Sequence, residues 1–129
     1  MFNHVMVGSN DLEKSRKFYD STLGVLGVPP GKLDAKGRFF YVTQDGSFAI
    51  TKPLDGQPAT AANGGTIGFR ASSPQQVEEW HAIGLKNGGV TCEDPPGVRQ
   101  PAGIYLAYLR DPAGNKVCVV HRPARGHAP

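Results

Sequence analysis

The sequence predicts an α+β domain made of two copies of one module, each a strand, a helix and a return of strands. Three observations carry that reading. The first is an internal repeat: an offset of 62 residues sets HVMVGSNDLEKSRKFYDSTLGVLGV, from His4, over TIGFRASSPQQVEEWHAIGLKNGGV, from Thr66, without a gap. Val5/Ile67, Val7/Phe69, Asn10/Ser72, Asp11/Ser73, Phe18/Trp80, Leu23/Leu85, Gly27/Gly89 and Val28/Val90 agree in character. A shared pattern at a fixed spacing marks a duplicated structural unit. The second is a hairpin pattern after each predicted helix. The third is turn content: seventeen Gly and eleven Pro in 129 residues call for many short elements.

Taken in order, residues 3–8 and 65–70 alternate and are rich in β-branched and aromatic side chains, as half-buried strands require. Asn10 with Glu13 predicts a capping box before the first helix. Ser73-Pro74-x-Gln76 predicts a better one before the second, with Pro at the first helical position. Leu12, Tyr19 and Leu23, with Phe18 beside them, form the apolar side of the first helix; Val77, Trp80 and Gly84 form that of the second. Gly24 and Asn87-Gly88 are the expected stops. Residues 39–42 and 47–50 make a hairpin about Gln44-Asp45-Gly46, and residues 104–109 and 116–120 another about Asp111-Pro112-Ala113-Gly114-Asn115. Asp-Gly and Asp-Pro-x-Gly turn the chain because Pro pre-sets φ, Gly accepts positive φ and Asp bonds its own backbone. The expected division is module one at about 2–53, a Gly/Pro-rich connector at 54–64, module two at about 65–122 and a tail at 123–129, all in one domain.

Composition removes several function classes. Hydrophobic residues at 39% and charged residues at 19% support a buried core and argue against a disordered chain. The net charge of +3 is scattered, with Arg122, Arg125 and His127 in the tail, so no dense basic face points to nucleic acid. No apolar run approaches the ~20 residues of a membrane span. The start, MFNHVMVGSNDLEKS, lacks the basic and apolar regions of a secretory signal. Cys92 and Cys118 form no CxxC pair; reduced thiols in a cytoplasmic protein are the expectation, with a disulfide between them left open.

The motifs also carry a resemblance. His4-Val5, Asp11-Leu12-Glu13-Lys14-Ser15, Phe18-Tyr19, Leu23 and Gly27 resemble the opening motif of the vicinal oxygen chelate superfamily. That superfamily includes glyoxalase I, the extradiol dioxygenases and the bleomycin- and fosfomycin-resistance proteins. Gly68-Phe69-Arg70-Ala71, Gly88-Gly89 and Arg110-Asp111-Pro112-x-Gly114-Asn115-Lys116 resemble its second half, so the resemblance covers residues 3–121. It implies two βαβββ modules forming a cup of curved mixed sheet, often completed across a homodimer. In metal-using members, four inward side chains, commonly His and Glu, hold one divalent ion that polarises two neighbouring substrate oxygens.

The positions that the resemblance assigns to those ligands are His4, Ala49, Thr66 and Cys118. Ala49 has no donor, and its neighbour Ile50 has none either. Thr66 offers a neutral hydroxyl, and Cys118 stands where relatives commonly carry Glu. His121 lies three residues from Cys118, an odd offset that puts it on the other face of a strand. An open catalytic site usually needs three protein ligands. No metal or other cofactor is therefore expected, and a divalent ion (Zn, Ni, Mn or Fe) remains the alternative. His4 reads as a pocket-lining histidine, and Cys118 as a small buried side chain rather than a nucleophile activated by His4.

Two further candidates line the expected pocket. Arg99, in Pro-Pro-Gly-Val-Arg-Gln-Pro, could clamp an anion from a loop, against ordinary solvation. Tyr105 and Tyr108 fall on opposite faces of one strand, so at most one lines the pocket, and Tyr105 is the candidate. Trp80 reads as core and His81 as helix surface. No set of glycines has phosphate-loop spacing. Three functions stay open: a metal-independent binder of a small organic molecule, which the missing donors favour; a metal-dependent lyase, isomerase or dioxygenase with an unconventional ligand set; and a protein-interaction module. The partners expected are a small organic molecule and a second copy of the chain, with neither nucleic acid nor membrane.

Overall fold

Two mixed β-sheets, each packed against its own helix, make up the protein. The structure is a computed structural model that describes residues 1–123; Arg125, His127 and the rest of the predicted tail lie outside the described residues. Module one contains β1 (His4–Gly8), α1 (Leu12–Val25), β2 (Lys32–Leu33), β3 (Phe39–Thr43) and β4 (Gly46–Thr51). Its sheet order is β1-β4-β3-β2, with β1 parallel to β4 and the other pairs antiparallel. Module two contains β5 (Ile67–Arg70), α2 (Pro74–Lys86), β6 (Val90–Thr91), β7 (Gly97–Arg99), β8 (Ile104–Arg110) and β9 (Lys116–His121). Its order is β5-β9-β8-β6, with β7 also on β8 and β5 parallel to β9. The α+β fold and the repeated strand–helix–strands order hold. Each module closes its own sheet, and among the described residues no strand pairs across the two.

The helix starts follow the repeat more closely than the predicted motifs do. Asp11 caps α1 by accepting from the Lys14 amide, and its repeat partner Ser73 caps α2 by accepting from the Gln76 amide. Asn10 is not the cap. Its side chain pairs with the backbone of Ala59 in both directions, at 3.2 and 2.7 Å, and so pins the connector to module one. Gly24 lies inside α1 rather than ending it. The stop is Gly27 at φ +87°, followed by a bond from the Val28 amide to the Leu23 carbonyl. In α2 the stop falls as expected, at Asn87 with Gly88 at φ +96°. α1 has 14 residues and α2 has 13, so the repeat slips by one between Gly27 and Gly88.

One core runs through both modules. Phe18, Tyr19, Tyr41 and Ile50 from the first meet Val77, Trp80, Leu109 and Val117 from the second, and Phe48 meets Phe69 edge-on at 5.3 Å between ring centres. A polar latch ties the modules beside it. Buried Asp111, in the β8–β9 turn, accepts the Tyr19 hydroxyl at 2.6 Å and the Asn115 side-chain amide at 2.9 Å on one carboxylate oxygen. Its other oxygen accepts the amides of Ala113 and Asn115. Asn115 in turn donates to the Gly8 carbonyl of β1. Four donors make the burial of that carboxylate tolerable. The Asp-Pro-x-Gly-Asn motif therefore joins the two halves as well as turning the chain.

Candidate functional site

Register decides which side chains share a face. On β1 and β4, Val7, Phe48 and Ile50 point to the α1 side and join the core. His4, Met6, Ser47 and Ala49 then lie on the face turned away from α1. In module two, Val117, Val119, Ala107 and Leu109 face α2, which leaves Cys118, Lys116, Tyr108 and Arg110 on the face turned away from it.

The four positions assigned by resemblance fall two to a sheet. His4 is exposed, with its Nδ1 2.9 Å from the Asn3 side-chain oxygen. Ala49 is fully buried and has no donor atom. Thr66 is exposed, just before β5. Cys118 is buried, and that burial pushes its thiol up to about 11; nearby Lys116 opposes the shift. Burial thus disfavours the thiolate, the form that attacks as a nucleophile. Among the described residues, no three His, Cys, Asp or Glu side chains come together to hold a metal ion. The residues present do not fit the divalent ion of metal-using relatives.

Two candidates move. Arg99 donates to the carbonyls of Gly97, Asp94 and Pro95 at 3.0–3.1 Å, so it ties up its own loop instead of reaching out as a clamp. Tyr105 lies on the α2 side, donating to Glu78 at 2.5 Å. Tyr108 takes the other face, beside Cys118, with the Lys116 ammonium 4.9 Å from its ring centre. Alternation separates the two tyrosines, but only the docking of α2 says which one faces it. His121, as its odd offset requires, lies on the helix side, within 3.3 Å of the Ala71 carbonyl. Trp80 is buried as expected. His81 is half-buried rather than at the surface, and burial holds its pKa below the usual value.

A cleft of about 620 Å³ opens where the start of β1, the β3–β4 turn, the end of α1 and β5 meet. Leu23, Leu26, Phe48 and Phe69 give it apolar walls. Its polar lining includes His4, Asn3, Thr43, Gln44, Ser47 and the exposed Asp45–Arg70 ion pair, 3.7 Å apart. Behind it, Tyr41 donates to Asp20 at 2.7 Å, and burial followed by that bond drives its ionisation far above the ordinary range. Of the candidates read from the sequence, this cleft takes only His4. Thr66 lines a separate recess with Arg110 and Lys116. The aromatic walls had one signal in the sequence, the replacement of Val7 by Phe69 in the second copy.

A model of the Glyoxalase/Bleomycin resistance protein/Dioxygenase superfamily matches residues 1–119. Among solved structures, a glyoxalase/bleomycin resistance protein from Albidiferax ferrireducens T118 is 59% identical, with a TM-score of 0.91 over 95% of this chain and 99% of that one. A lactoylglutathione lyase from Agrobacterium tumefaciens is 25% identical, with a TM-score of 0.65 over 94% of this chain and 92% of that one. A glyoxalase-related enzyme from Fulvimarina pelagi shares the fold at 19% identity, with a TM-score of 0.77 over 95% and 88% of the two chains. No curated protein matches.

Proposed function

This chain belongs to the glyoxalase/bleomycin resistance protein/dioxygenase superfamily, and from that premise we propose that it binds a small organic molecule, without a metal ion, in the aromatic cleft beside His4. A shared fold leaves chemistry to the site. The observation that carries the reading is the donor set: of the four positions, only His4 and a buried, protonated Cys118 have strong donor atoms. The lyase, isomerase and dioxygenase readings need a divalent ion, for which Ala49 and Thr66 supply neither His nor Glu. The cleft supports the binding reading, because small-molecule sites run to roughly 300–1,000 Å³ with apolar walls and a few polar points. Phe69, half-buried and meeting the buried Phe48 edge-on, offers aromatic surface to a planar ligand. His4 and Arg70 offer hydrogen bonds to its polar end.

A second copy of the chain would serve the family's cup. His4 and Ala49 stand on one sheet and Thr66 and Cys118 near or on the other, with no strand pairing between the sheets among the described residues. The two free cysteines suit a reducing compartment such as the cytoplasm.

The test combines metal analysis with ligand screening. Untagged protein purified without chelators is expected to carry no stoichiometric divalent ion. Planar aromatic or dicarbonyl compounds are expected to raise its melting temperature, and His4→Ala and Phe69→Ala are each expected to weaken the best of them about tenfold. An equimolar ion that disappears in His4→Ala would overturn the reading.

A further inference from the structure

A second recess, of about 300 Å³, lies between the connector and the β8–β9 pair, and it shares no lining residue with the aromatic cleft. Arg110 and Lys116 are register partners at the end of that pair, so both project from the face turned away from α2. Asn63, Gly64, Gly65 and Thr66 close the other side. The two glycines allow the wall: Gly64 takes φ +91°, and a Cβ on Gly65 would stand 2.7 Å from that of Ala62.

The charges are held in place. The Lys116 ammonium is bonded to the Glu93 carboxylate and lies over the Tyr108 ring, which fixes its direction and uses one of its three donors. Glu93 takes φ +60°, a conformation that residues other than Gly seldom adopt. Arg110 donates to the Gly114 carbonyl at 2.9 Å and has no carboxylate partner among the described residues. Glu93 offsets one of the two cations, and the recess keeps a single net positive charge. Asn63 and Thr66, which line the recess, bring a side-chain amide and a hydroxyl to it as donors.

We propose that this recess is a binding site for a small oxyanion, a carboxylate or phosphate group, held between Arg110 and Lys116 with Thr66 and Asn63 donating to it. The anion clamp that the sequence suggested at Arg99 sits instead at Arg110, whose planar guanidinium retains free N–H groups. The site stands apart from the cleft, and a failure of the binding reading above leaves it untouched.

The test is a titration at low ionic strength with sodium phosphate and, separately, sodium acetate, followed through the backbone amide signals of Gly64, Gly65 and Thr66. Saturable shifts are expected with at least one anion, weakened about tenfold by Arg110→Gln and by Lys116→Gln. Arg70→Gln, the same loss of charge but outside the recess, is expected to leave these anion-induced shifts unaltered. Response to phosphate alone marks free phosphate as the ligand, and response to acetate marks the carboxylate of an organic acid. Shifts that rise linearly with both salts, or equal weakening by Arg70→Gln, would overturn the proposal.

Discussion

Replacing Tyr19 with Phe removes one atom from the latch between the modules and leaves the packing of the ring in place. The Tyr19 ring is fully buried, against Phe18 at 4.9 Å and Phe48 at 4.7 Å, and its hydroxyl donates to a buried carboxylate at 2.6 Å. A hydrogen bond to a charged group contributes about 1.5–3 kcal/mol, and Asp111 keeps three other donors after the change, so the cost belongs in that range. In a domain of this size that lowers the melting temperature by roughly 5–15 °C. Trp80, the one tryptophan and fully buried, reports the transition by its fluorescence in urea. Asp111→Asn is expected to cost more than Tyr19→Phe. Each carboxylate oxygen accepts two donors, so an amide nitrogen on either side meets two N–H or O–H groups head-on. Alkaline pH gives an independent check. Burial, and then Asp111, holds Tyr19 protonated well above the ordinary tyrosine value of about 10. Its contribution is therefore full below pH ~10 and fades as pH climbs from there toward the folded value; Tyr41 acts in the same direction. Tyr19→Phe should flatten part of that decline. A loss below about 0.5 kcal/mol at neutral pH would refute the latch, because a buried charge-assisted bond cannot contribute so little.

Two other outcomes follow from packing and burial. Gly84→Ala places a Cβ 2.3 Å from the Leu109 side chain and 3.3 Å from those of Phe18 and Thr22, where α1, α2 and β8 meet. Overpacking of that kind costs about 1–3 kcal/mol and exceeds the ~1 kcal/mol of helix propensity gained, so denaturant melts should show net destabilisation. Cys118, with its thiol pushed up to about 11, should resist iodoacetamide at pH 8 in the folded chain while the less buried Cys92 reacts. Mass spectrometry of the alkylated peptides checks this, and Cys118 labelling should climb as the pH approaches that value.

Most of the fold was legible in the sequence because it is written locally. The hairpins about Asp45-Gly46 and Asp111–Asn115 and the second helix from Ser73 to Asn87 appear where turn and cap chemistry put them. The first cap was misplaced by one residue, since Asn10 and Asp11 are both capping types and only the contact with Ala59 tells them apart. β2, β6 and β7 have two or three residues each, too few for a two-residue period to show. The site was less legible. Tyr105 and Tyr108 differ only in which side of the sheet α2 covers, and Arg99 turns back on carbonyls that no spacing rule predicts.

By itself, the sequence determined that a module is repeated, where its helices and hairpins run, and that Ala49 and Thr66 cannot act as metal-ligating His or Glu, because side-chain identity and short-range backbone chemistry settle those matters. The tertiary structure decided the faces, the latch and both recesses. Those depend on residues far apart in the chain, such as Tyr19 with Asp111 at a separation of 92 and Gly8 with Asn115 at 107, and on two helices and two sheets burying apolar surface together. Burial on that scale is cooperative and non-directional, and local pattern carries no record of which distant neighbour completes it.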